Sequence, residues 1–183
     1  FGLNRVDIMS KFGRRKIRMG MVGGGEGAFI GEIHRIAAQM DNQIELVCGA
    51  FSSKPDKAIS FGKSLFLDNA RCYASFQAMF ELEANSPAET RMDMVAIVTP
   101  NHLHFPVAKM ALEYGFHVIS DKPATLNLTQ ALELKAIVEK TGLLYALTHT
   151  YTGYPMIKEA KTRREHGTLG QLKTNRVEKP KGW

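Results

Sequence analysis

The sequence predicts an α/β fold: a doubly wound parallel sheet with helices on both faces, followed by the start of a second α/β domain. Three observations carry that reading. Short apolar runs alternate with helical patterns from residue 16 onward, the order left by parallel strands joined through crossover helices. The first run ends in a cluster of glycines and opens directly into a helix. After about residue 150 the alternation gives way to one helix and one strand, too little to bury its own apolar faces. The expected organisation is a basic leader over residues 1–15, a main domain over 16–152, and the opening of another over 153–183.

The elements follow in order. Ile17–Val22 reads as a buried first strand. Phe29, Ile33, Ile36 and Met40 recur at spacings of four, three and four, the stripe of an amphipathic helix. Ile44–Ala50 is the second strand, and the polar stretch Ser52–Asp56 leads into another helix. A short element near Cys72–Tyr73, a helix around Phe76–Glu83 and a loop over Glu83–Arg91 come next. The run 94–99 (MVAIVT) is a strand stopped by Pro100. Pro106–Tyr114 reads as a helix with proline in its first turn and Gly115 as its stop. Phe116–Ser120 is a strand. Asn127 and Gln130 form a capping box for a helix that runs to Gly142, and Leu143–Leu147 is a further strand. Beyond it, Pro155–Glu165 reads as a helix and Leu172–Val177 as a strand.

Composition narrows the function. The 183 residues carry a net charge of +6, with 44% hydrophobic and 23% charged residues, which excludes a disordered or collagen-like chain. The positive charge sits at the two ends: residues 1–20 hold six basic and one acidic residue, and residues 156–183 eight and three. The middle holds ten basic against fourteen acidic residues. A nucleic-acid binder carries its positive charge on the folded recognition surface, so no specific nucleic-acid partner is expected. No apolar run approaches the roughly 18 residues needed to cross a bilayer, so no membrane partner is expected either. Cys48 and Cys72 form neither a disulfide framework nor a zinc site, which fits a reducing cytoplasm and no metal. Phe1 in place of Met suggests leader or cloning sequence before Met9, and no secretory signal is recognisable.

The glycine cluster carries the chemistry. Gly23-Gly24-Gly25-Glu26-Gly27-Ala28 satisfies the dinucleotide fingerprint, with Ala28 in its third place. A chain that must turn sharply, let a pyrophosphate touch its backbone and aim helix N–H groups at negative charge needs small residues there. Gly23, Gly25, Gly27 and Ala28, with Phe29 and Ile30 at the helix start, are therefore candidate cofactor-binding residues. The end of the second strand selects the cofactor. An acidic residue there would bond the ribose 2′-OH of NAD, but the sequence offers Ser52, Ser53 and Lys54, which can donate to a 2′-phosphate. NADP is favoured over NAD.

Two further blocks end strands. Thr99 closes the MVAIVT run and Pro100, Asn101 and His104 follow it, where ligands of parallel sheets bind; Asn101 is also a possible helix cap and His104 a plain helix-start residue. Asp121-Lys122-Pro123 closes the next strand. Lys122 there suits a proton donor or hydrogen-bond anchor, though such a tripeptide also makes an ordinary surface turn, and Pro123 is placed to be cis. His149 and Tyr151 end the last strand, and His149 reads either as a buried, satisfied histidine or as a substrate contact.

Taken together, the glycine turn, Gly31-x-x-His34, Thr99-Pro100-Asn101-His102-Leu103-His104, Gly115-Phe116-His117-Val118, Asp121-Lys122-Pro123 and a histidine before Tyr154-Pro155 resemble the N-terminal half of the Gfo/Idh/MocA family of glucose–fructose oxidoreductase and inositol dehydrogenase. The resemblance implies a Rossmann domain binding NAD(P), then an α/β domain with a large open sheet. It implies oxidation or reduction of a carbinol carbon of a sugar, polyol or related compound. Lys122 would be the catalytic lysine at the reacting oxygen, Asp121 and Lys122 would also border the cofactor, and His149 and Tyr151 would touch substrate. The family's Glu-Lys-Pro is Asp-Lys-Pro here, and its acid/base histidine comes from the second domain. Homo-oligomers, a cytoplasmic location and no turnover by this half alone are further expectations. A non-catalytic dinucleotide-binding or regulatory module is the alternative, since it needs the glycine turn alone.

Overall fold

The computed structural model describes residues 15–174, 176 and 178. The leader expected over residues 1–15 lies outside the described residues, apart from Arg15. The chain divides into two compact units, one ending at Thr148 and the other beginning at His149.

In the first unit, β1 (Ile17–Gly23), β2 (Ile44–Ala50), β3 (Met94–Val98), β4 (His117–Ser120) and β5 (Tyr145–Leu147) form a parallel sheet ordered β2-β1-β3-β4-β5. Helices α1 (Phe29–Gln39), α2 (Pro55–Ser64), α3 (Phe76–Ala84), α4 (Asn101–Glu113) and α5 (Leu128–Thr141) lie between the strands in sequence. This is the predicted doubly wound sheet. Outside β2 a single parallel bridge joins Gly49 to Cys72, and the Tyr73 N–H donates to the Gly49 carbonyl at 2.8 Å. Counted as a strand reduced to one residue, it completes the order 3-2-1-4-5-6 of the Rossmann fold.

Side-chain alternation along the strands builds two cores. Met19, Met21, Ala96 and Val98 pack with Ala38 of α1 and with Phe51. Val22, Cys48, Val95, Ile97 and Val118 pack with Met79 and Phe80 of α3, Val107, Ala108, Ala111 and Leu112 of α4, and Leu134 of α5.

Helix α1 corrects the stripe read from the sequence. Phe29, Ile33, Ile36 and Met40 are exposed, Met40 to 82%. At about 100° per residue, the buried Gly31 and Ala38 lie on the opposite side. The helix presents its small residues to the sheet because it sits against the backbone of the glycine turn: a Cβ on Gly31 would collide with the Gly24 Cα and lie 2.9 Å from the Gly24 carbonyl oxygen. Helix α4 differs too. It begins at Asn101, with Pro100 as its cap residue, so Pro106 lies inside the helix. The bond that proline cannot make belongs to the carbonyl of exposed His102, where water can replace it. Helix α5 forms half of the expected capping box: Asn127 Oδ1 accepts from the Gln130 N–H at 3.0 Å, while Gln130 Oε1 accepts from the Leu126 N–H, one residue before the cap, and Gly142 turns the chain at φ +67°.

The amino edge of the sheet is tied by charge. Arg15 donates to both oxygens of Asp93 at 2.7 and 2.9 Å, and the backbone N–H and side chain of Arg18 donate to the same carboxylate. Burial pushes the Asp93 carboxyl up, but these bonds outweigh it and hold its pKa down at about 2. A carboxyl depressed on folding stabilises above its unfolded pKa and loses that contribution as pH falls through the folded one. About 2 kcal/mol should therefore disappear between pH ~4 and pH ~2. Asp93→Asn should lose that amount already at neutral pH and flatten the acid limb, which urea unfolding across this range will measure.

A second buried carboxylate fixes the far corner. Glu83 of α3 is fully buried. Its Oε1 accepts from Arg71 and from the Tyr73 hydroxyl at 2.8 Å, and its Oε2 accepts from Arg71 at 2.7 Å and the Met92 N–H at 2.9 Å. The Cys48 Sγ lies nearby, 3.7 Å from the Met92 sulfur, and burial pushes that thiol well up.

The second unit has a short 3₁₀ turn, Thr150–Gly153, and helix α6, Pro155–Glu165, which matches the expected helix. Of the strand expected over Leu172–Val177, residues 172–174 and 176 carry no strand pairing, and residues 175 and 177 lie outside the described residues. A strand needs a hydrogen-bonding neighbour, and the described residues of this unit supply none. No helix among the described residues is long and apolar enough to cross a membrane.

Candidate functional site

A cleft of about 400 Å³ opens at the carboxyl ends of β1, β2 and β3. The order in which strands are added reverses at β1, which has β2 on one side and β3 on the other, so the cleft lies at the sheet's topological switch point. Gly23, Gly25 and Ala28 form its floor, Ser52, Ser53 and Lys54 one side, and Thr99 and Pro100 the other. The structure thus brings together three groups of predicted residues that lie up to some 75 positions apart.

The turn itself is shaped for close approach. Gly24 has φ +70°, a conformation suited to glycine, and a Cβ on Gly25 would lie 2.6 Å from the Phe51 carbonyl oxygen. Ala28 occupies the cap position of α1 and has no side chain to satisfy the first-turn N–H groups, which leaves them for an anion. The Thr99 hydroxyl is buried at the cleft wall and has no hydrogen-bond partner among the described residues. A small-residue cradle, unsatisfied N–H groups and an unused hydroxyl suit a dinucleotide.

Other predicted residues occupy different places. Phe29 is 74% exposed on the outer side of α1, and Ile30 packs against the Met19–Met21 core. Gly27 and Asn101 are exposed. His104 is buried and does not line the cleft: its ring sits between the Pro123 carbonyl oxygen, 2.6 Å from Nδ1, and the Thr99 carbonyl oxygen, 2.8 Å from Nε2. It ties the turn after β3 to the turn after β4. Asp121 accepts a hydrogen bond from the Thr148 hydroxyl at 2.7 Å. Burial holds the His34 imidazole below its usual range, against the opposing pull of the Asp121 charge, so two of the sequence motifs meet here. Lys122 is exposed after β4, and its bond to Pro123 is cis. His149 and Tyr151 belong to the second unit, where both are exposed; the buried alternative for His149 is thereby removed.

Sequence reasoning missed Phe51, Lys57 and Val98, which also line the cleft. Lys57 had a signal: it stands three residues after Lys54 at the start of a helix, on the same side. Glu26 lines the rim and is exposed.

Residues 17–149 match the oxidoreductase family Gfo/Idh/MocA, described as having an NAD-binding Rossmann fold. The chain belongs to this family. The Gfo/Idh/MocA chain is 36% identical over 172 residues to the uncharacterized oxidoreductase YfiI of Bacillus subtilis, covering 93% of this sequence and 42% of that protein. It superposes with a TM-score of 0.83 on an inositol dehydrogenase homolog from Azotobacter vinelandii complexed with NADH and myo-inositol, at 37% identity over 86% of this chain and 41% of that one. An oxidoreductase from Sinorhizobium meliloti gives 48% identity and a TM-score of 0.79, over 86% and 43% of the two chains. The chain spans about two fifths of the length of these relatives.

Proposed function

We propose that this Gfo/Idh/MocA domain binds NADP in preference to NAD and serves hydride transfer to or from a carbinol carbon of a sugar or polyol. The observation that carries the cofactor reading is the cleft's composition. Its β2 side is built from Ser52, Ser53, Lys54 and Lys57, with no carboxylate from that segment. Two ammonium groups and two hydroxyls suit a ribose 2′-phosphate, while an NAD-selective site wants an acceptor for a 2′-hydroxyl.

The nicotinamide, when bound, supplies the hydride chemistry. The protein's own residues orient and neutralise. Gly23, Gly25 and the uncapped start of α1 would hold the pyrophosphate, Ser52, Ser53 and Lys54 the adenosine ribose, and Thr99 and Pro100 the nicotinamide side. Lys122, exposed at the end of β4, is the group proposed to donate a hydrogen bond to the substrate hydroxyl. The polyol class rests on the family and on the inositol dehydrogenase homolog's bound myo-inositol.

Separate fluorescence titrations of NADPH and NADH test this. NADPH should bind about tenfold more tightly, a difference of about 1.4 kcal/mol. Lys54→Asp should abolish the preference while leaving NADH within about threefold. Tighter NADH binding by the unmodified protein would overturn the NADP assignment, and no binding of either at millimolar concentration would overturn the cofactor site.

A further inference from the structure

The glycine turn is held by a residue outside the lining of this cleft. Arg35, on the second turn of α1, donates from Nη1 to the Gly24 carbonyl oxygen at 2.9 Å. Its guanidinium carbon stands 5.2 Å from the centre of the Phe61 ring. Phe61 in turn meets Phe51 edge to face, with ring centroids 5.3 Å apart, and Phe51 lines the cleft beside Ser52. A cation stacked on an aromatic face is held in direction as well as in place.

The bond to Gly24 fixes a peptide plane. A trans peptide carries its carbonyl oxygen and the following N–H on opposite sides. With the Gly24 oxygen drawn towards Arg35, the Gly25 N–H points away from the guanidinium. In glycine-rich sequence, with φ +70° at Gly24, that plane can rotate more freely than elsewhere. Rotation would aim a carbonyl oxygen where an anion needs a donor.

We infer that Arg35 is a positioning residue for phosphate: by holding the Gly24 carbonyl inward it keeps the Gly25 N–H available to the pyrophosphate of a bound dinucleotide. This rests on the dinucleotide reading of the cleft and adds a determinant within the body of the domain. Gly31 is part of the device, because only a residue without a Cβ lets α1 come close enough for the guanidinium to reach. Phe61 and Phe51 link the same guanidinium to the ribose side of the cleft, so the two ends of the site share one support.

The test compares ADP with adenosine as ligands, using isothermal titration of the unmodified protein, Arg35→Met and Arg35→Lys, with thermal unfolding of each free protein as the check on folding. Arg35→Met should weaken ADP about tenfold and leave adenosine unchanged, since adenosine carries no phosphate. Arg35→Lys, which keeps a donor for Gly24 but not the flat stacking surface, should recover most of the ADP affinity. Undiminished ADP binding by Arg35→Met would overturn the proposal while leaving the cleft's assignment standing. Equal loss for ADP and adenosine would also overturn it, by showing a general collapse of the site. Should Arg35→Met not fold, the ADP-to-adenosine ratio of Arg35→Ala, which also removes the donor to Gly24, decides, and no change in that ratio would overturn the proposal. Failure of the unmodified protein to bind ADP, NADH or NADPH would remove the dinucleotide reading itself and this inference with it.

Discussion

Glu83→Ala is expected to lower the unfolding free energy by about 3–5 kcal/mol, the usual cost of removing one partner from a buried ion pair. The carboxylate accepts from the Arg71 side chain, the Tyr73 hydroxyl and the Met92 N–H at once. Deleting it leaves a cation, a hydroxyl and a backbone donor facing a cavity. Arg71 is 25% exposed along its side chain and can recover some water, but Tyr73 and Met92 are buried. Against a typical total stability of roughly 5–15 kcal/mol, that loss is about a fifth or more. Glu83→Gln should lose most of the same amount. Both carboxylate oxygens receive donors, so whichever way the amide turns, its NH₂ group faces another donor. Urea unfolding monitored by circular dichroism measures both. A change below about 1 kcal/mol in Glu83→Ala would show that the corner is not the fastening its geometry indicates.

Gly31→Ala should show the other large effect, this time chiefly on ligand affinity. In an ordinary helix interior alanine would gain up to about 1 kcal/mol over glycine. Here the new methyl meets the Gly24 backbone, which cannot rotate aside like a side chain. Either α1 lifts from the sheet or the turn changes shape. Overpacking of this kind costs about 1–3 kcal/mol, and the distorted cradle should weaken NADPH by about thirtyfold, or some 2 kcal/mol. The same titration used for the cofactor measures it. A variant that binds NADPH normally would mean the helix and turn tolerate more separation than their contact implies.

Much of the fold was legible because its signals are local. Glycine, proline and apolar runs mark strand ends wherever they occur, and Asn127 caps its helix in the structure as in the sequence. Direction was harder. The apolar stripe of α1 is real as a pattern, yet the sheet meets the opposite side, where Gly31 and Ala38 are small enough for close packing. A periodicity gives an axis of asymmetry but does not say which neighbour arrives. Pro106 lies inside the helix and not in its first turn, because packing of Val107, Ala108, Ala111 and Leu112 outweighs a missing backbone bond. In the cleft, residues at strand ends could be read from position, whereas Arg35 and Glu83 could not. A charged residue on a helix looks solvent-facing until its partners, Gly24 in one case and Arg71 with Tyr73 in the other, are brought in from separate segments. The sequence reads His104 as a cofactor contact or a helix-start residue, whereas its ring is buried off the cleft between the Thr99 and Pro123 carbonyls.

The single-residue bridge between Gly49 and Cys72 leaves most of the outer border of β2 without a neighbouring strand among the described residues. An unpaired apolar border is a template on which other polypeptides can add themselves. The segment anchored through Arg71 and Tyr73 to Glu83 meets that border at Gly49. The ion pair therefore guards solubility as well as shape, and loosening it would invite self-assembly along the sheet before the rest of the molecule had come apart.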